Sequence, residues 1–326
     1  MRAIQCHAWG PPESLVLADV PEPTAGPGEV LVDVHACAVN FPDVLTIQNL
    51  YQRKPALPFT PGSEVAGVIS AVGAGVSTLK VGDRVFAALA DGGLADKTAI
   101  AANVCVPIPS DIDMVHACGF MYGHGTSQHA LRDRADIRPG EFLVVLGAAG
   151  GVGLAAVELG AVMGARVIAV ASTEDKLALC RKHGAEMTIN YATEDLKTRI
   201  KDLTGGHGAD VVYDAVGGDY AEPALRSMAV NGRFLVIGFA AGTIPRIPLN
   251  LVLLKECQIV GVFWGAFVAR EPARHQRNIE ELMAWWSAGK LKPHVSAVFP
   301  LERASEAMRV LADRKALGRV VVQVKD

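Results

Sequence analysis

An α/β fold, with a doubly wound parallel sheet of six strands inserted into an irregular β domain, is predicted by three observations. A wholly apolar run ends in a glycine-rich turn at 142–153, FLVVLGAAGGVG, and continues into LAAVELG. Apolar runs then recur at 142–147, 166–171, 187–191, 211–216, 233–238 and 258–264, the first five separated by segments with helical spacing. Before about residue 125 the chain instead carries short alternating runs between prolines and glycines. Strands that alternate with helices imply a parallel sheet, with the expected order 3-2-1-4-5-6.

In the first third, the segments 29–35, 66–72 and 83–87 are strand candidates bounded by turn signals. From about 266 the alternation stops, and a helix over 275–288, a strand at 296–299, a helix over 302–313 and a strand at 319–324 are expected. These late strands are free to complete the first domain's sheet. The expected division is therefore 1–124 plus 266–326 for one domain and 125–265 for the inserted one. A cleft between two such domains is a common place for a small-molecule site.

The glycine turn carries the first chemical signal. Set against the pattern GxGxxG, Ala148 stands in the first place and Gly150 and Gly153 in the second and third. Gly150 would let phosphates approach the backbone, Gly153 would let the helix lie close to the strand, and Gly150, Gly151, Val152 and Gly153 together would cradle a pyrophosphate. An ordinary strand-to-helix turn is the alternative reading of such a match. The strand before it, the helix after it and the second strand at the expected distance favour a dinucleotide.

The second apolar run selects the dinucleotide. It ends in Ala171, Ser172 and Thr173, where NAD would need a carboxylate for its ribose 2′-OH. Hydroxyls with Lys176 nearby suit a 2′-phosphate, so the expected cofactor is NADPH. Ser172 would otherwise cap the following helix. Ligands of open α/β sheets gather past the strand ends, which singles out Val216, Gly238, Phe239, Phe263 and Gly265 for the nicotinamide end. Phe239 or Phe263 would wall one face of the ring, or else would pack into the core.

Composition narrows the partners. With 326 residues, half of them hydrophobic and a fifth charged, the chain can bury two cores, and its net charge of −3 offers no basic field for nucleic acid or an anionic membrane. The beginning MRAIQCH lacks a signal-peptide core and no apolar run is long enough to span a bilayer, so a cytoplasmic location is expected. The six cysteines, at 6, 37, 105, 118, 180 and 257, are scattered singly, without the clustering of a disulfide framework or a zinc lobe.

Several longer motifs occur together: GEVLV at 28–32, AVNFPD at 38–43, LPFTPGSEVAG at 57–67, VGDRV at 81–85, the glycine turn, and VVYDAVG at 211–217. With them the chain resembles the zinc-independent, zeta-crystallin-like quinone oxidoreductases of the medium-chain dehydrogenase/reductase superfamily, over nearly its whole length. The resemblance implies a GroES-like domain with an inserted Rossmann domain and NADPH between them. Zinc members of that superfamily use cysteine, histidine and cysteine ligands, whereas this chain resembles the metal-free branch in having Asn40 and Ser63 at the first two positions, with only Cys118 at the third. No metal is expected.

The resemblance also matches Ser172, Lys176, Tyr191 and Arg314 to positions around the 2′-phosphate, with Lys315 as an alternative to its neighbour, and Thr126 to a threonine near the nicotinamide ribose. Asn40, where a zinc ligand would stand, and Tyr51, on a loop before 57–59, are the candidates for the substrate pocket, Asn40 being able to bond a carbonyl oxygen or the nicotinamide region of the cofactor; Asp43, Tyr122 and His124 could also reach it. The expected activity is hydride transfer from NADPH to a quinone or similar conjugated carbonyl. An enoyl-thioester or alkenal reductase, and an NADPH-binding protein with little turnover, are the alternatives. The apolar edge strand near 258–262 is expected to pair with a second copy in a homodimer.

Overall fold

A computed structural model describes residues 1–325. Its internal contacts divide the chain into two compact units, one of Met1–Tyr122 with the chain from Pro293, the other of Gly123–Lys292. The return therefore falls at 292/293, and residues 266–292, expected with the first domain, belong to the second. The helix Pro272–Ser287 explains the difference, because it buries Asn278, Ile279 and Leu282 and its polar groups find partners in that unit. Asn278 Nδ2 donates to Asp133 Oδ2 at 2.9 Å, and Gln128 Nε2 donates to Glu281 at 2.6 Å. Loss of strand–helix alternation marked the end of the pattern, but helix packing sets the boundary.

In the second unit, six parallel strands lie in the order Met187–Asn190, Arg166–Ala171, Phe142–Leu146, Ala209–Asp214, Met228–Val236, Gln258–Gly261. This is the order 3-2-1-4-5-6. The central strands are apolar on both faces because both faces are covered; Leu143, Val144, Val145 and Val167 to Val170 are all 0% exposed. The helix Gly151–Val162 is likewise buried over Gly153 to Gly160. Outer helices carry ordinary end signals: Thr173 caps Glu174–Lys182, and Asp195 caps Leu196–Leu203 by accepting from Thr198 N at 2.8 Å. The sixth strand stops at Gly261, earlier than the apolar run, since Trp264–Arg270 turns helical.

In the first unit, the strands Val295–Pro300, Arg319–Gln323, Glu29–Val39, Glu64–Val72, Arg84–Ala88 and Val106–Pro107 are neighbours in that order, and Lys97–Ala101 also pairs with Glu29–Val39. Val320 lies opposite Val39 in an antiparallel ladder, so the returning chain does complete the first sheet. Val30, Val32, Val34, Val65, Val320 and Val322 form its core with the helices Phe41–Ile47 and Ala304–Ala312. Among the described residues no helix is long and apolar enough to cross a membrane.

Candidate active site

In the second unit the turn after Phe142–Leu146 is built by Gly147, at φ +72°, with Ala148 and Ala149 buried behind it. The tight-turn role thus falls one residue before Ala148, the position expected to hold it. Gly150 then caps the helix Gly151–Val162 at φ −81°. A Cβ on Gly153 would stand 2.2 Å from the Gly147 carbonyl oxygen, so only glycine allows the helix this close to the strand. At Gly150 the nearest atom to such a Cβ is 3.5 Å away. The protein's own packing therefore does not demand glycine there, and the bare backbone at a helix N-terminus is a cradle that fits a pyrophosphate.

Neighbouring groups are tied to this turn. Ser127 Oγ donates to the Val152 carbonyl at 2.9 Å and shares a bond of 2.9 Å with the Tyr213 hydroxyl, which fixes Thr126 one residue away. Val216 packs on the turn, 2.8 Å from a Cβ placed on Gly147. Asp214 Oδ1 accepts from Val216 N and Gly217 N at 2.9 and 2.8 Å, and burial raises its pKa against those two bonds. Ala240 N and Ala241 N donate to the carbonyls of Ala215 and Val216. The structure thereby brings Val216, Gly238 and Phe239 together past two adjacent strand ends. Phe263 is 61% exposed, which rules out core packing for it, and Gly265 lies in the short helix that follows.

At the end of Arg166–Ala171, Ser172 Oγ accepts from Lys176 Nζ at 3.3 Å, and Thr173, not Ser172, is the helix cap. Tyr191 N donates to the Ala171 carbonyl, and its ring leans on that of Tyr220 with centroids 4.4 Å apart. Ser172, Lys176 and Tyr191 therefore surround one strand end that lacks a carboxylate, a set that fits a 2′-phosphate. Arg314 belongs to the other unit, exposed at φ +59° after Ala304–Ala312. His124, 1% exposed, donates from Nε2 to Glu158 Oε2 at 2.9 Å. Glu158 also takes His183 Nδ1 at 2.7 Å and Lys292 N at 3.1 Å, and against its burial the two histidines hold its pKa far below the usual carboxylate range.

In the first unit, Asn40 ends the strand Glu29–Val39 and opens the helix Phe41–Ile47. Its backbone N donates to Asp43 Oδ2 at 2.8 Å, and its amide Nδ2 donates to Glu64 Oε2 at 3.1 Å. Glu64 Oε1 accepts from Tyr122 N at 2.8 Å, and the hydroxyls of Tyr122 and Tyr51 are hydrogen-bonded to each other. Both acids are buried, Glu64 at 0% and Asp43 at 4% exposure. Burial pushes Glu64 up to about 7, opposed by Tyr122 N, Arg319, the Asn40 amide and Met121 N. Burial pushes Asp43 up to about 6, opposed by Asn40 N, the Ser63 hydroxyl and Gly62 N. Burial likewise raises the Tyr51 hydroxyl, so it remains a proton donor at neutral pH.

Asn40, Asp43, Tyr51, Ser63, Glu64 and Tyr122 thus form one cluster, of which sequence reasoning missed Glu64. Its signal was a lone acid at the head of the apolar segment EVAGVISAV, which needs partners if buried. As a zinc site the cluster does not fit. The Asn40 amide nitrogen faces Glu64, Ser63 offers only a neutral buried hydroxyl, and Cys118 is a buried thiol bonded to the Val115 carbonyl, its pKa raised well above 9 by burial. Among the described residues no three of His, Cys, Asp and Glu are grouped to hold a metal.

Two family descriptions match the chain: "Alcohol dehydrogenase GroES-like domain" over residues 26–132 and "Zinc-binding dehydrogenase" over 151–286. The quinone oxidoreductase-like protein 2 homolog of Nematostella vectensis is 39% identical over 99% of this chain and 89% of that protein. The crystal structure of Escherichia coli quinone oxidoreductase complexed with NADPH covers 99% of this chain and 100% of its own at 30% identity, with a TM-score of 0.94. The CurK enoyl reductase structure covers 99% and 98% at 30% identity, with a TM-score of 0.89.

Two predictions follow from this geometry. Gly153→Ala drives a Cβ into the Gly147 carbonyl and should destabilise the protein by roughly 1–3 kcal/mol, whereas Gly150→Ala should change stability by less than about 0.5 kcal/mol and yet weaken dinucleotide binding. Urea melts beside a binding titration separate the two, and equal melts would contradict the close approach. The second concerns pH. Folding raises the pKa of Glu64 from 4.5 to about 7, so its contribution is full below 4.5 and lost as pH climbs through 7. Asp43 acts in the same direction, from 3.8 to about 6. At roughly 1.4 kcal/mol per unit, Glu64→Gln should flatten the stability loss between pH 5 and pH 8 by on the order of 2–3 kcal/mol. Parallel wild-type and variant curves over that range would refute it.

Proposed function

The chain belongs to the medium-chain dehydrogenase/reductase superfamily, among its quinone oxidoreductase-like members, and on that premise we propose that it transfers hydride from NADPH to a quinone or a similarly electron-poor conjugated carbonyl. The observation that carries the cofactor choice is the strand end at Ala171, where Ser172 and Lys176 stand bonded to each other in place of a carboxylate. NADPH, when bound, supplies the hydride. All else asked of the protein is binding, orientation and proton supply.

Backbone N–H groups of Gly151, Val152 and Gly153 hold the pyrophosphate, and Gly150, whose own N–H closes the turn on the Gly147 carbonyl, lets it approach. Ser172, Lys176 and Tyr191 hold the 2′-phosphate, and Thr126 holds the nicotinamide ribose. Val216, Gly238 and Phe239, laced together past the strand ends, line the nicotinamide with Phe263 and Gly265. Asn40, with one amide hydrogen committed to Glu64 and its side chain in a capping box with Asp43, keeps its second hydrogen for the ring or the substrate. Tyr51, protonated at neutral pH, donates to the reduced oxygen, though a hydroquinone oxyanion can also be protonated by water.

The Tyr51–Tyr122 hydroxyl pair supports a second reading, reduction of an enoyl thioester or alkenal, in which carbon must be protonated and a donor matters more. We also propose a homodimer through the edge strand Gln258–Gly261. Ile259 on that strand is 41% exposed, and Leu249, Leu253 and Leu254 on the helix Leu249–Lys255 are each more than 70% exposed.

The decisive measurement is NADPH consumption against a panel of quinones, enones and enoyl thioesters. Turnover with quinones is expected, and binding without turnover on any of them would leave only a cofactor-binding protein. Lys176→Ala should raise the KM for NADPH by roughly tenfold, in keeping with the loss of one charged hydrogen bond, and leave that for NADH unchanged. Equal wild-type efficiency with both cofactors would remove the phosphate argument. Tyr51→Phe should spare quinone reduction and depress thioester reduction if that second activity is present.

A further inference from the structure

We propose that Glu64 is the positioning residue of the substrate site, one buried carboxylate that sets both the Asn40 amide and the backbone carrying Tyr122. Its two oxygens are divided between two chain segments, Oε2 taking Asn40 Nδ2 at 3.1 Å and Oε1 taking Tyr122 N at 2.8 Å. Met121 N and Arg319 add to the same carboxyl. Asp43 takes the Asn40 backbone N at 2.8 Å and turns its own N–H to the Asn40 side chain in a capping box, which agrees with an amide whose NH₂ side faces Glu64. When ionised, the carboxylate accepts and cannot donate, so in that form it meets the NH₂ side of the amide and rejects the carbonyl side. Glu64 thereby fixes the NH₂ side of the amide, and the Asp43 N–H of the capping box supports the same one of its two nearly isosteric orientations. The Tyr122 hydroxyl in turn is bonded to that of Tyr51, so the same carboxylate, 0% exposed at the head of its strand, stands behind both groups assigned to the substrate. The inference rests on the reading of Asn40 and Tyr51 given above.

Glu64→Gln isolates the amide arm. Its carbonyl oxygen still serves Tyr122 N, but its NH₂ now faces that of Asn40, which must turn over. With quinone as acceptor, kcat and kcat/KM should fall together by about tenfold or more, a loss of transition-state contact, while the Kd for NADPH stays within twofold of wild type. Asn40→Ala should lose as much, and combining the two substitutions should cost no more than Asn40→Ala alone. A full additional loss in the combined variant, or wild-type turnover in Glu64→Gln, would overturn the proposal. Should Glu64→Gln fold poorly, Asn40→Asp with Glu64→Gln decides instead, because it remakes the bond with donor and acceptor exchanged. That pair should regain the wild-type melting temperature without its turnover, and full activity in it would again overturn the proposal. A wild type that reduces no acceptor would sink the functional reading alone. The coupling of melting temperatures between positions 40 and 64 would still show whether Glu64 holds Asn40.

Discussion

The approach of the Gly153 α-carbon to the Gly147 carbonyl, which leaves no space for a side chain, is the constraint on which the nucleotide-fold unit depends. It lets the helix Gly151–Val162 rise directly from the central strand with its first N–H groups bare, and it presses the apolar length of that helix onto the sheet. The direction of the helix then determines what its later residues meet. Ser127 reaches the Val152 carbonyl, and one helical face carries Glu158 to two imidazoles. A wider turn would move each of these partners at once, because interiors this densely filled transmit displacement instead of absorbing it.

Buried acids in the two units illustrate opposite answers to the same desolvation problem. Glu158 is met by two histidines and a backbone N–H, and it stays ionised. Glu64 and Asp43 are met mainly by neutral donors, the Asn40 amide and backbone N–H groups, with Arg319 adding charge only at Glu64, and their ionised forms remain costly near neutral pH. The first arrangement suits a fixed structural anchor. The second suits a place where proton inventory and amide orientation matter to a substrate.

What could be read in advance depended on whether the signal was local. The six apolar runs and the glycine turn announced the parallel sheet because strand periodicity and turn chemistry are written within a few residues. The return of 319–324 to the first sheet was also legible, since spare strands need an edge. Residues 266–292 were not, because the allegiance of Pro272–Ser287 is decided by Asn278 and Glu281 meeting Asp133 and Gln128 far back in the chain. Gly147 was passed over because a pattern of spacings does not report φ. Glu64 was hidden for a similar reason: a single acid in an apolar strand says that it needs partners without saying that they are Asn40 and Tyr122.

The bonds on Glu158 have an architectural meaning as well. His124 is the second residue of the nucleotide-fold unit and Lys292 its last, and both hydrogen-bond to this one carboxylate. Entry and exit of the unit are therefore side by side, held from within. A segment whose ends nearly coincide can be spliced into a host loop without stretching host or guest, which is the condition under which domain insertions and circular permutations are tolerated. Glu158 thus acts as the clasp of a cassette, and the discontinuous first sheet, begun before residue 122 and finished after 293, is the scar of where that cassette was lodged.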